Sequence, residues 1–412
     1  MTKFSLILTL FGLNILFAQD TLSGNYIDLR INNGFYLIRD NITVDNSLTI
    51  DPGAIIQIQK NASIIIGGEL KCIGDNEKIE IYGLAGQEGS GIIIKNSDSL
   101  DVQIKNTVFK NLLMPINFDY GWKRRRVSIE NNQFLKNKGT SSIIQVLSPP
   151  FDYENNEDKI EFELVHNLFS GNNAPIYFED FSDAKISYKI SLNAFVENKI
   201  FGNNNHSLAS NIIYGRSDLN STKFTSLIEE NSFINNYIIN SSVDTIVHRG
   251  NFGIYGSEEN FNLKNNFFNS LVKDSIQKTL YDQTKNYTSP LIQFDPFLKS
   301  PTPKIHSHIY KIMNNDEEEV QDSLLVSDSS RNFIVQSNNE VDFSIAKLKF
   351  YYRNESNKIS STLLNFKVEA LPNYQNQITI STSIDPKKIG YIEISDIKDI
   401  YKNNIGISRI GY

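Results

Sequence analysis

LKNNFFNS, residues 263–270, is the last of six versions of one phrase. The others are IKNTVFKN (104–111), IENNQFLKN (129–137), LVHNLFSGN (164–172), LNAFVEN (192–198) and EENSFINN (229–236). Each keeps a Phe near its centre, a polar residue (usually Asn) two before it, and in most cases another Asn two or three after. Repetition of one turn-like phrase along a chain is the mark of an array that stacks similar units. In such an array the Phe residues 109, 134, 169, 195, 233 and 268 should lie over one another inside. Asn at each corner tolerates left-handed backbone angles, and its amide can bond the Asn of the next repeat. The intervals between those Phe residues are 25, 35, 26, 38 and 35. The longer ones imply either loops thrown off the array or repeats that lack the phrase. Candidate protrusions are 148–159, 198–211 and 244–260.

The preceding region is written in the same style without the Phe. Residues 42–109 hold very short Ile-rich runs broken by Gly, Asp and Asn: SLTI (47–50), AIIQIQ (54–59), SIIIGG (63–68), ELKCIG (69–74), KIEIYG (78–83), GIIIKN (91–96) and DVQIKN (101–106). Strands this short gain little from hairpin pairing. They suit a solenoid, in which each turn of chain covers the edge of the one before. The expected fold is all-β: a parallel β-helix followed by a small β-sandwich.

Several segments resemble secreted bacterial right-handed parallel β-helix proteins of Bacteroidetes type. ITVDNSLTIDPGAIIQIQKNASIIIGGELKCIG (42–74) is similar to their opening coils, with Asp51–Pro52–Gly53 on the characteristic turn. NNFFNS…LYDQTKNYTSPLIQFDPFLKSP (265–301) is similar to their closing element, which contains a short helix, although Phe267–Phe268–Asn269 replaces the usual aromatic–Trp–Gly. YIEISDIKDIYKNNIG (391–406) looks like the last strand and turn of bacterial Ig-like modules. The resemblance implies a right-handed helix and an Ig-like end. Its members include adhesins, cargo domains and polysaccharide-active enzymes, so it implies no single activity.

The first residues, MTKFSLILTLFGLNILFAQD, read as a signal peptide over 1–18: Lys3, an apolar run from Phe4 to Phe17, then Ala18. That run is too short to span a bilayer, which needs about 20 residues, and no second long one follows. Export to the cell surface or beyond is expected, with no transmembrane segment after cleavage. A parallel β-helix domain is expected over 19–303 and an Ig-like β-sandwich over 304–412, divided by the cluster Pro290, Pro296, Pro301 and Pro303. Alternating runs such as AKLKFYY (346–352), TLLNFKVEA (362–370) and QITIST (377–382) supply the sandwich strands.

Forty Lys and Arg against 47 Asp and Glu leave a net charge of −7, which argues against nucleic acid as a partner. Cys72 is the one cysteine, so no internal disulfide forms; in LKCIG it reads as a small buried strand residue. Among the five histidines, His306 and His308 flank Ser307 in an expected surface strand, and two ligands are too few for a zinc site. His166 reads as a structural residue at a corner. No metal site, cofactor or catalytic set emerges. The acidic patch 178–185, with Glu179, Asp180, Asp183 and Lys185, and Arg216 more than one coil later, offers the ingredients of a glycan-cleaving site only in the broadest sense.

The sharpest local feature is YGWKRRRVSI (120–129), with the only Trp and four successive basic residues. In a strand, Trp122, Arg124 and Arg126 share a face and would offer an aromatic platform beside guanidinium forks, suited to an anionic sugar. These three are the candidate substrate-binding residues. The function expected is a secreted or cell-surface structural or adhesion protein, a monomer, with no catalysis. Alternatives are a polysaccharide lyase or glycoside hydrolase acting on an anionic glycan, and a non-catalytic carbohydrate-binding protein. The partner expected is an extracellular glycan or a cell-surface component.

Overall fold

The computed structural model describes residues 20–75, 77–84, 86–95, 101–120, 126–139, 141–147, 160–179, 186–202, 211–217, 226–240, 245–248, 250–256, 260–313, 332–353, 359–372, 375–381, 390–399, 402 and 408–410. The expected signal peptide and protrusion 148–159 lie outside them. Among the described residues the chain is predominantly β, with one large parallel sheet of 23 strands and several smaller sheets. Among the described residues no helix is long and apolar enough to cross a membrane.

Every Ile-rich run singled out between 47 and 106 forms a strand. Pairing within the large sheet follows three ladders. The first joins Ala54–Ile58, Ile79–Tyr82, Thr107–Lys110, Gln133–Leu135, Leu168–Ser170, Ala194–Val196 and Ser232–Ile234, each parallel to the next. The second joins Ile64–Ile66, Ile92–Ile94, Ile116–Phe118, Ile144–Val146, Ile176–Phe178, Ile213–Ser217 and Phe252–Gly256. The third joins Glu69–Ile73, Asp101–Lys105, Arg126–Glu130, Ile160–Val165, Ile186–Ser191 and Leu227–Glu229. The long strand Gly34–Ile50 starts all three, and Asp20–Ile31 pairs along its other edge.

Alternation decides what is buried. In Ile116–Phe118, Ile176–Phe178 and most of their partners the first and third residues point inward. One apolar cluster runs from Ile31 to Ile292. Ile56, Ile81 and Phe109 are successive partners in the first ladder, so Ile occupies in the early repeats the position that Phe takes later. From there the six expected Phe residues stack: Phe109–Phe134 at 5.0 Å, Phe134–Phe169 at 4.5 Å, Phe169–Phe195 and Phe195–Phe233 at 4.9 Å, and Phe233–Phe268 at 5.6 Å between centroids. All five pairs lie within 12° of parallel.

Each interval between these Phe residues is therefore one repeat, and the longer ones carry insertions. Two insertions, one after Phe195 and one after Phe233, supply Lys199–Gly202 and the pair Tyr237–Asn240 and Thr245–His248, which together form a separate three-stranded sheet. Of the protrusion expected at 244–260, Phe252–Gly256 belongs instead to the second ladder.

The corner phrase divides its work between neighbours. The residues with positive φ are Asn106, Asn131, His166, Leu192, Glu230 and Asn265, one position before the repeated Asn (Thr107 in the first phrase), and Asn111, Lys136, Gly171, Glu197, Asn235 and Asn269 after the Phe. The repeated Asn residues themselves are buried and form two ladders, Asn132–Asn167–Asn193–Asn231–Asn266 and Asn137–Asn172–Asn198–Asn236. Asn167 shows the pattern. Its Nδ2 donates to Asn193 Oδ1 at 3.0 Å and to Ile129 O at 2.8 Å, while its Oδ1 accepts from the N–H and Nδ2 of Asn132. A buried amide that uses every donor and acceptor avoids the cost of desolvation without a partner.

The Asp51–Pro52–Gly53 turn forms as expected. Gly53 has φ +81°, and a Cβ there would collide with Asn33 and Glu77. The short helix of the closing element is Lys273–Gln277. Cys72 is buried in its strand, with its thiol pushed up to about 12 by burial.

Beyond the proline cluster the pairing becomes antiparallel. Ile309–Met313, Asn332–Ser337, Gln375–Ile380 and Phe366–Leu371 form one four-stranded sheet. Ile359–Leu364, Lys347–Arg353, Gly390–Ser395 and Ser408–Ile410 form another. Val335 and Ile378 from the first share a buried cluster with Leu348, Phe350 and Ile394 from the second.

Candidate functional site

Among the described residues the interior is filled mainly by Phe, Ile and mutually bonded Asn. Function therefore belongs to outward positions. On the second ladder, Asn117, Gln145, Tyr177 and Tyr214 are partners on successive strands and form an outward row. Tyr177 and Tyr214 are half-buried and stack on one another at 4.8 Å and 27°. That contact uses one face of each ring and leaves ring edges and hydroxyls for a ligand. Burial first, then the nearby Glu179 carboxylate, pushes the Tyr177 hydroxyl up to about 12, so it stays a proton donor at neutral pH.

The next outward positions add charge. Glu179 and Arg216 follow the Phe178–Gly215 pair on their two strands, and Tyr255 is the partner of Arg216. Tyr120 is 63% exposed and donates its hydroxyl proton to Glu179 Oε1 at 3.1 Å, across 59 residues of sequence. That bond, with the Glu179 charge behind it, raises the Tyr120 hydroxyl above its usual range. Asp119 Oδ1 accepts the Tyr120 N–H at 2.9 Å. The result is an aromatic and hydroxyl-rich face with a carboxylate and a guanidinium. Such a surface can hydrogen-bond a polyol and pair with an acidic substituent.

The sequence-derived site residues fall around this face unevenly. Trp122 and Arg124 lie outside the described residues, as do Asp180, Asp183 and Lys185. By chain order, 121–125 joins Ile116–Phe118 to Arg126–Glu130, and 180–185 joins Ile176–Phe178 to Ile186–Ser191. Arg126 opens its third-ladder strand, faces outward, and places Nη2 3.6 Å from Glu163 Oε2, a carboxylate it shares with Lys189. Arg216, expected more than one coil from Glu179, is on the adjacent strand. Tyr120, Tyr177 and Tyr214 escaped sequence reading; the only available signal was Tyr at matching outward positions of IYF and IYG, which nothing in the repeated phrase marks.

The histidines also differ from expectation. His306 and His308 precede the strand Ile309–Met313 and are turned inward against the first ladder, with His308 only 2% exposed. His306 stacks on His166 at 3.9 Å, and His308 bonds Gln133 and the carbonyl of His166 at 3.1 Å. Among the described residues, no group of three His, Cys, Asp or Glu is placed to hold a metal ion. Comparison with family models, curated proteins and solved structures returns no match.

Proposed function

We propose that the protein is a secreted or cell-surface rod that serves a structural or adhesive role by holding an anionic glycan without turning it over. Residues 19–303 are read as a right-handed parallel β-helix and 304–412 as an Ig-like β-sandwich resting on it. Three parallel ladders whose strands follow one another in rotation support the helical reading. A shared core between two antiparallel four-stranded sheets supports the sandwich. The resemblance of the opening and closing segments to exported bacterial proteins supports export after cleavage of residues 1–18.

The observation that carries the binding role is the grouping of Tyr120, Glu179, Tyr177, Tyr214 and Arg216 on the outside of the second ladder. Neighbouring strands in a sheet repeat at roughly 4.8 Å, the scale of one sugar ring. A row of outward groups at that spacing can meet successive units of a chain. By chain order Trp122 and Arg124 lie between Tyr120 and Arg126; the two arginines would add the basic charge that an acidic glycan requires, and Trp122 an aromatic ring.

The test is a panel of uronate-containing, sulfated and neutral glycans scored for both retention and product release. Retention of an acidic glycan that is lost in Tyr120→Ala and Arg216→Ala, without product, supports the reading. Release of unsaturated or reducing sugar that is abolished by Glu179→Gln would replace it with a lyase or hydrolase. Silence across the panel would remove the glycan and leave only the rod.

A further inference from the structure

The antiparallel C-terminal region and the first ladder meet along a seam built from three of the chain's five histidines. Residues 302–310 cross the outer face of the first ladder. Ile305 enters an apolar cluster with Leu168, Ala194 and Val196, and Tyr310 packs against its border. Lys304 Nζ pairs with Glu230 Oε1 at 2.5 Å. Beside them, the rings of His166 and His306 stack at 3.9 Å and 13°.

The partners fix how each ring carries its proton. His306 Nδ1 lies 3.0 Å from Asn131 Oδ1; the amide of Asn131 donates to Asn106, so its oxygen accepts and His306 Nδ1 donates. His308 Nε2 donates to His166 O at 3.1 Å, and its Nδ1 accepts from Gln133 Nε2 at 3.1 Å. His166 Nδ1 is buried with no hydrogen-bond partner among the described residues. Each ring therefore fits the seam in its neutral form. A second proton on His308 would oppose a Gln133 donor, one on His166 would find no acceptor, and charge on both stacked rings would repel at van der Waals distance.

We propose that His166, His306 and His308 form an acid-sensitive latch, which holds segment 302–310 and the antiparallel region on the first ladder at neutral pH and releases them when protonated. The surrounding charges set its sensitivity. Lys105 and Lys189, from the third ladder, and Lys78, beside the first, oppose protonation; Glu130 and Asp399 favour it. Glu230, paired with Lys304, and Glu197, near Tyr310, face the same segment. Burial dominates for all three rings. It lowers His166 to about 4 and His308 to about 3, and depresses His306, from an ordinary value of 6.5. A released ring returns to its ordinary value. Docking is then fully present above about pH 6.5 and weakens as pH falls, by up to about tenfold per pH unit for each of His166 and His308, with His306 acting in the same direction.

The test is small-angle scattering on the mature full chain from pH 8 to pH 4, with circular dichroism to follow β content and proton NMR to follow the histidine rings. Expected is a constant radius of gyration down to about pH 6, then a reversible increase with β content retained. The NMR titration of the three rings should coincide with that increase. His166→Asn suits the φ of +57° at that position, and combined with His306→Asn it should move the expansion at least one pH unit lower. A radius that stays constant to pH 4 overturns the latch. So does expansion at the same pH in wild type and variant, or titration of the three rings near pH 6.5 without expansion. If the double variant fails to fold, the coincidence of ring titration and expansion in the wild type decides the matter.

Discussion

Asn193 donates its Nδ2 proton to Asn231 Oδ1 at 2.9 Å, joining residues 38 apart in sequence inside a buried amide ladder. The same Nδ2 also reaches Leu164 O at 2.7 Å, and Asn193 Oδ1 receives both donors of Asn167. The side chain thus clamps three successive repeats and leaves no polar atom without a partner.

This clamp makes the order of substitutions predictable. Asn193→Ala should cost about 3 kcal/mol, since it strands donors of Asn167 and the carbonyl of Leu164. Asn193→Asp should cost more, because a buried carboxylate cannot donate to Asn231 Oδ1 or Leu164 O and sets an unpaired charge against these acceptor oxygens. Urea unfolding of the two variants checks the order; an Asp variant as stable as wild type would remove the amide ladder from the account.

The stacked rings give a second prediction. Phe195 is sandwiched between Phe169 and Phe233 and fully buried. Phe195→Ala should lose about 3–5 kcal/mol through the cavity it opens, whereas Phe195→Leu should lose less. Chemical denaturation measures both, and a loss under about 1 kcal/mol for Ala would place this ring outside a packed interior.

At the seam, energy should reside in the apolar contact and not in the ion pair. Lys304 is 62% exposed, so Lys304→Ala should cost under about 1 kcal/mol. Ile305→Asp, which forces a charge among Leu168, Ala194 and Val196, should detach the segment at neutral pH. Scattering at pH 7.5 distinguishes them: the first variant should match wild type and the second should be expanded.

Cys72 supplies a probe of folding. Burial penalises its thiolate and raises the thiol to about 12, so at pH 8 it is protonated and shielded. A thiol reagent at pH 8 should leave the native protein unlabelled and label it stoichiometrically in denaturant. Fast native labelling would mean that the third ladder opens near Glu69–Ile73.

Much of this architecture was legible because one chemical requirement recurs. A Phe repeated between Asn-rich corners can satisfy both packing and amide bonding only by stacking on its own copies, and the six predicted Phe residues do so. The phrase did not reveal which corner residue takes the left-handed conformation. That role falls to Lys136, His166, Gly171, Leu192, Glu197 and Glu230 as often as to Asn, because the corner fixes a backbone angle and does not require an amide side chain. The tyrosine face was illegible for a different reason. Tyr120 and Glu179 meet only after insertions of unequal length are placed, and outward residues carry no packing constraint that would repeat. His306 and His308 read as surface residues because nothing local announces that the chain doubles back onto its own first ladder.

Distances along the third ladder test the rod most directly. Thr49, Lys71, Gln103, Ser128, Glu163, Lys189 and Leu227 are successive outward partners on it. Spin labels paired from Thr49 to Glu163, Lys189 and Leu227 should give electron–electron distances of about 19, 24 and 29 Å, rising by about 4.8 Å per strand. A straight, stacked array requires that linear rise. Distances that level off or fall between Glu163 and Leu227 would contradict it.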